Sequence, residues 1–188
     1  MFLKRISRAW ARAELAAAAA LAVAITGLIL TNVVTRAMNN SIFWIDELAI
    51  YAMIWMAFLA ASASLAHRDA ISVTFLKEVL PAPAARWIDI FVDVVVLGFA
   101  LAMVHFCWRW FDPIDFARAG FDVIAFQGAT FNFIYSEPTM TISVSKVWVW
   151  MVMPLFALGA TLHAVANLVA RLSGAETAEA IPLPGDRP

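Results

Sequence analysis

The sequence predicts an all-α integral membrane protein: four transmembrane helices, both termini on the cytoplasmic side, and a long external connector between helices three and four. Three observations carry this. Of 188 residues, 63% are hydrophobic and only 14% are charged, against about 25% charged in an ordinary soluble domain. Four separate stretches each approach the roughly 20 apolar residues needed to cross a hydrocarbon core about 30 Å thick. Basic residues are unevenly shared among the segments that join those stretches. A soluble enzyme and a disordered chain are excluded. The net charge of −1 gives no basic excess for a nucleic-acid partner, whereas membrane lipid is a necessary one. The single cysteine, Cys107, excludes an intramolecular disulfide and a multi-cysteine zinc site.

The spans fall at about 15–35, 47–66, 87–108 and 147–170. The first has no charge between Glu14 and Arg36, and the second none between Glu47 and His67. The third is long enough but contains Asp89 and Asp93, and the fourth is interrupted only by His163. Such continuous runs are helices, since barrel strands alternate and are about half as long. The first run exceeds the 7–15 apolar residues of a signal peptide, so it reads as an uncleaved anchor. Lys4, Arg5, Arg8, Arg12, Arg68, Lys77, Arg86, Arg171 and Arg187 fall on one side, and Arg36, Arg109, Arg118 and Lys146 on the other. The richer side is cytoplasmic. Residues 1–172 then form one membrane domain, and the polar, proline-containing tail 173–188 is expected to be disordered.

Several segments depart from plain lipid-spanning helix. Asp46 and Glu47 begin the second span, where acids complement the helix dipole or reach a basic residue of a partner. Glu47, Tyr51 and Trp55 recur every fourth residue and share a face. Ala57, Ala60, Ala61, Ser62, Ala63 and Ser64 make the later half small enough for close helix approach. Arg86, Asp89 and Asp93 form a stripe at the start of the third span, consistent with an Arg86–Asp89 pair and an Asp93 hydrogen-bonded inside the bundle. A proton or cation relay would need acids at successive depths, and no other acid follows. His67, His105 and His163 stand at different depths, which does not suit two axial haem ligands, and His163 reads as a hydrogen-bonded core histidine. Pro154 is expected to kink the fourth span near its outer third, because it removes one backbone bond. The connector 111–146 is too long for a tight turn and too aromatic to float in water. It must lie on the membrane surface, fold over the helix ends or dock on another protein. Its phenylalanines at 111, 116, 121, 126 and 131 follow neither a helix nor a strand period and read as coincidence.

Trp44-Ile-Asp46-Glu47-Leu-Ala-Ile-Tyr51, then Trp55-Met-Ala-Phe58-Leu-Ala-Ala-Ser62, then His67-Arg68-Asp-Ala-Ile71-Ser-Val73 resembles the small membrane subunit, the DctQ type, of tripartite ATP-independent periplasmic (TRAP) transporters. Residues 44–76 carry most of the likeness. Asp46 stands where the family commonly has Glu, Ala70 where it has His, and Thr74 where it has Asp. The resemblance implies a role rather than a reaction. A soluble periplasmic protein captures an organic acid, and a large membrane subunit moves it with sodium by an elevator-type motion. The small subunit joins the large one's static scaffold and helps receive the binding protein. This chain would then be no enzyme and carry no catalytic, cofactor or metal site, with sodium held by the large partner. It would reside in a bacterial inner membrane, contacting its partners through Trp44, Asp46, Glu47, Tyr51 and Trp55, with Arg68 on the cytoplasmic side. The readings set against it are a small four-helix exporter and a haem-binding membrane anchor subunit.

Overall fold

The computed structural model describes residues 2–67 and 81–173, so Arg68 and the tail beyond Ser173 lie outside the described residues. The described chain is helical, with no strand beyond an isolated bridge between Pro138 and Ser145. In order the helices are α1 (Phe2–Ala37), α2 (Phe43–His67), α3 (Ala82–Phe111), α4 (Pro113–Arg118), α5 (Val123–Thr130), α6 (Val147–Trp150) and α7 (Val152–Leu172). Four helical stretches are long and apolar enough to cross a membrane: Phe2–Ala37, Phe43–His67, Ala84–Arg118 and Val147–Leu172.

The last span is the hub. Half of its apolar window is buried inside the protein, against 11–17% for the other three, and it packs on α1, α2 and α3 alike. Its composition explains this. Ala157, Gly159, Ala160, Ala164, Ala166 and Ala170 are all buried, and small residues let several helix backbones approach one axis. Larger side chains fill the remaining space. Val152 packs with Ala18 and Leu59, and Phe156 with Ala100 and Ala160. Phe58 meets Phe156 edge-on at 5.4 Å, a preferred aromatic geometry.

The backbone gap that Pro154 leaves is seen in the last span. The helix breaks at Met151, between α6 and α7, and the Leu155 N–H reaches the Met151 carbonyl at a stretched 3.4 Å. Pro154 has no N–H to offer the carbonyl of Trp150.

α1 begins at Phe2, well before Leu15, and its 36 residues span about 54 Å at 1.5 Å per residue. Glu14 therefore lies within a continuous helix and not at its start. It is 3% exposed and faces the bundle with Ser7, Ala11 and Ala18. The indole N–H of Trp10 donates to Glu14 Oε1 at 2.8 Å, and His163 Nε2 lies 3.0 Å from Glu14 Oε2. His163, fully buried, also bonds Ser7 Oγ through Nδ1 at 2.7 Å. The core-histidine reading of His163 holds, with Glu14 and Ser7 as its partners. Ser62 of α2 is buried beside this group, and its hydroxyl has no hydrogen-bond partner among the described residues.

Gly159 makes this crossing possible. A Cβ there would sit 2.5 Å from Glu14 Oε1 and 2.6 Å from Ser62 Oγ. The Glu14 carboxylate is held by Trp10 and His163 and cannot swing aside without breaking those bonds. Gly159→Ala should therefore destabilise the bundle by about 1–3 kcal/mol, the usual cost of overpacking. Thermal unfolding in detergent reads it: a clear fall in midpoint is expected, and an unchanged midpoint would refute the tight crossing.

The stripe on α3 is tied to α7 rather than paired along its own helix. Arg171 Nη1 lies 2.6 Å from Asp89 Oδ2, and Arg171 Nε donates to Asp93 Oδ2 at 2.6 Å. Asp89 thus pairs with Arg171 instead of Arg86. A guanidinium on the facing helix can serve two carboxylates one turn apart, which explains the spacing of the acids.

The connector folds over the helix ends. Asp112, in the left-handed conformation, caps α3, and Asp122 caps α5 by accepting from the N–H groups of Ile124 and Ala125. Phe111, Phe126 and Ile134 form its core, joined by Phe116 and Tyr135, whose rings stack at 3.9 Å. Tyr135 donates to the Phe111 carbonyl at 2.6 Å and Asn132 to the Trp110 carbonyl at 2.7 Å, fastening the connector to the last turn of α3. Burial pushes the Tyr135 hydroxyl above its ordinary range, and the Asp112 carboxylate acts the same way, so it remains a protonated donor. The phenylalanines at every fifth position follow no helix or strand period, but three of the five converge in this one cluster.

Candidate partner interface

The sequence singled out the start of α2, and the structure places it at the connector end of the bundle. Asp46 faces α1. It accepts from Asn32 Nδ2 and pairs with Arg36, while Arg36 Nε also donates to Asn32 Oδ1 at 3.1 Å. Both ion-pair side chains are about half exposed, so the pair contributes at most about 1 kcal/mol. It fixes the register of the α1–α2 hairpin.

Glu47 is held differently. Its Oε2 accepts from the Thr141 N–H at 2.6 Å, the Thr141 hydroxyl at 2.5 Å and the Ile142 N–H at 3.1 Å. Its Oε1 accepts from the Met140 N–H at 2.7 Å and the Tyr51 hydroxyl at 2.5 Å. One carboxylate thus satisfies three consecutive backbone donors, two hydroxyls and the far end of the connector. Charge-assisted bonds of this kind are about twice as strong as neutral ones. Both acids therefore have partners within this chain, which neither a helix-dipole role nor a salt bridge to another protein had anticipated.

Tyr51 and Trp55 continue the same face, as their spacing required. With Leu21, Leu48, Ile142 and Trp148 they line an open apolar pocket of about 330 Å³. Trp55 also packs against the Ala18–Leu59–Val152 core. Trp44 is 47% exposed and points away from these contacts. The small half of α2 divides between two faces. Ser62 and Ala63 are buried against the bundle, while Ala57, Ala60, Ala61 and Ser64 face outward. Asn167 of α7 donates to the Leu65 carbonyl at 2.8 Å near the other end of α2.

Sequence reasoning missed Asn32 and Arg36 as partners of Asp46, and the loop 139–142 as the partner of Glu47. Arg36 and Asp46 stand on opposite sides of a short helix-to-helix turn, so that pair could have been inferred. Nothing in the residues at 140–142 announces backbone donors for a carboxylate more than ninety positions earlier.

Four membrane-length helices, each tied to a neighbour by polar contacts, define a multi-pass helical membrane protein. Residues 25–174 match the family model of the DctQ component of tripartite ATP-independent periplasmic transporters, and the chain belongs to that family. It is also 22% identical over 137 residues to the sialic acid TRAP transporter permease protein SiaT of Haemophilus influenzae (strain 86-028NP). That alignment covers 72% of this chain but only 19% of the relative, so the chain spans a small part of that permease's length.

Proposed function

We propose that this chain is the small permease subunit of a sodium-coupled TRAP transporter for organic acids in a bacterial inner membrane. Its termini face the cytoplasm, and its connector faces the periplasm. It forms part of the static scaffold with the large membrane subunit and helps receive the substrate-binding protein, while sodium and substrate are held by the large subunit. The contact with partners is centred on Trp44 and the face of Tyr51 and Trp55, with Asp46 and Glu47 holding that end in shape and Arg68 contributing on the cytoplasmic side.

The observation that carries this reading is the bracing. Each principal contact between spans has its own polar tie. Asp46 joins α2 to Arg36 and Asn32 of α1. Glu14 and Ser7 of α1 meet His163 of α7. Asn167 of α7 meets α2, and Arg171 of α7 meets Asp89 and Asp93 of α3. A carrier that rocks or slides would break such ties in every cycle, whereas a scaffold benefits from all of them.

Co-expression with the large subunit from the same source tests the proposal. A tag on this chain should recover both proteins in stoichiometric amounts from mild detergent, and deleting this chain should abolish sodium-dependent uptake. Purification of this chain alone as a defined oligomer, with uptake unimpaired by its deletion, would refute the scaffold role.

A further inference from the structure

Beyond its core, the connector carries apolar side chains that stay largely exposed. Phe111, Phe116, Phe126, Ile134 and Tyr135 already form its core. Phe121, Ile124 and Phe131 are 67%, 75% and 81% exposed, and Phe121 meets the core only through one edge-on contact with Phe116 at 5.4 Å. Phe121 and Phe131 also have φ of 61° and 55°, the left-handed region where glycine or asparagine is the usual occupant and a bulky residue is an outlier. The strained turn at Phe131 does not need a ring. An aromatic side chain at such a position, 81% exposed, points to something outside the chain that the ring meets.

Position identifies that surface. The connector begins one residue beyond α3, and Asn132, next to Phe131, is bonded to the Trp110 carbonyl in the last turn of that spanning helix. Trp108 and Trp110 are themselves 55% and 38% exposed there, as expected of an aromatic belt at the membrane–water boundary. The exposed set is thus continuous with the lipid-facing side of a membrane helix. The nearby Asp115–Arg118 ion pair, with the arginine side chain 75% exposed, supplies a polar counterpart on α4. Short helices with an apolar side and a charged side lie in the plane of the interface.

We propose that Phe121, Ile124 and Phe131 form an interfacial lipid anchor, inserted at the headgroup–acyl boundary of the leaflet on the connector's side. The anchor holds α4 and α5 flat on the bilayer and fixes the height of the loop that Glu47 grips. It depends on the chain being a membrane protein and not on the TRAP assignment.

The test uses the full-length chain with Cys107→Ala and one new cysteine carrying a polarity-sensitive NBD label, in vesicles of phosphatidylethanolamine and phosphatidylglycerol. The label is placed by Phe131→Cys, and by Ile124→Cys should the first variant fail to fold. Arg118→Cys is the reference. Labels at 131 or 124 should emit to the blue of the label at 118. They should be quenched several-fold more by nitroxides on the lipid acyl chains than by aqueous iodide, with and without the large subunit co-reconstituted. Iodide quenching equal to that at 118 would place the patch in water and overturn the anchor. Protection from both quenchers would show a protein covering it and would also overturn the anchor.

Discussion

Glu14→Ala should be one of the most destabilising single substitutions in the chain, costing about 3 kcal/mol or more. The change removes the carboxylate shared by the partly exposed Trp10 indole and the fully buried His163. The Trp10 indole loses its 2.8 Å bond, and His163, fully buried, keeps only Ser7. Leaving the buried His163 nitrogen unsatisfied costs about 1–3 kcal/mol, and the lost Trp10 bond adds about 1 kcal/mol. Two companions make the result interpretable. Glu14→Gln keeps a carbonyl oxygen for Trp10 and an amide toward His163, so it should lie between wild type and alanine. Ser62→Ala removes a buried hydroxyl that has no partner among the described residues, and should be neutral or stabilising by about 1 kcal/mol. Thermal or denaturant unfolding in detergent, followed by tryptophan fluorescence and circular dichroism, gives the order. An alanine variant at 14 that unfolds with wild type would show that the crossing of α1, α2 and α7 does not depend on this carboxylate.

The spans were legible because hydropathy over some 20 residues is a strong signal and lipid permits few alternatives to helix. The interruption of the helix before Pro154 has an equally local cause, the missing N–H. The crossing at Glu14 was not read, although part of its signal was present. Ser7, Ala11, Glu14 and Ala18 recur at helical spacing and form one buried stripe, set among alanines and arginines that do not make it stand out. The edge of an apolar run gives no hint of such a role, since a charge that flanks a span can also face another helix. Arg171 is alike: it is a basic residue in the last turn of the final span, and it also holds Asp89 and Asp93 of α3. Both partnerships lie between helices, which the pattern of one segment does not encode. The connector shows the limit from the other side. Its aromatic composition correctly implied that it is not free in water. Its fold over the end of α3 depends on the left-handed turns at Gly120–Phe121 and Phe131, and only the first contains the glycine that marks such turns.

Glu47→Ala should release the far end of the connector while leaving the helices in place. The carboxylate is the acceptor for the backbone N–H groups of Met140, Thr141 and Ile142, so hydrogen exchange at those three amides should accelerate by roughly an order of magnitude or more. The ties at Glu14, Asn167 and Arg171 are untouched, so insertion and the thermal midpoint should change little. Glu47→Gln should give partial release, because one of its two terminal atoms becomes a donor facing donors. Asp46 provides the contrast. Its ion pair with Arg36 is half exposed, so Arg36 can turn to water when it is removed, and the buried Asn32 keeps its bond to Arg36. The Asp46→Ala, Glu47→Ala double variant should therefore resemble Glu47→Ala alone in loop exchange and in uptake by the assembled transporter. Uptake tells the two roles of Glu47 apart. If it falls in step with loop exchange across the Gln and Ala variants, Glu47 acts by holding the connector where the binding protein meets it. If uptake falls while the amides at 140–142 stay protected, the carboxylate touches a partner directly, and the intrachain clamp is not its reason for being there.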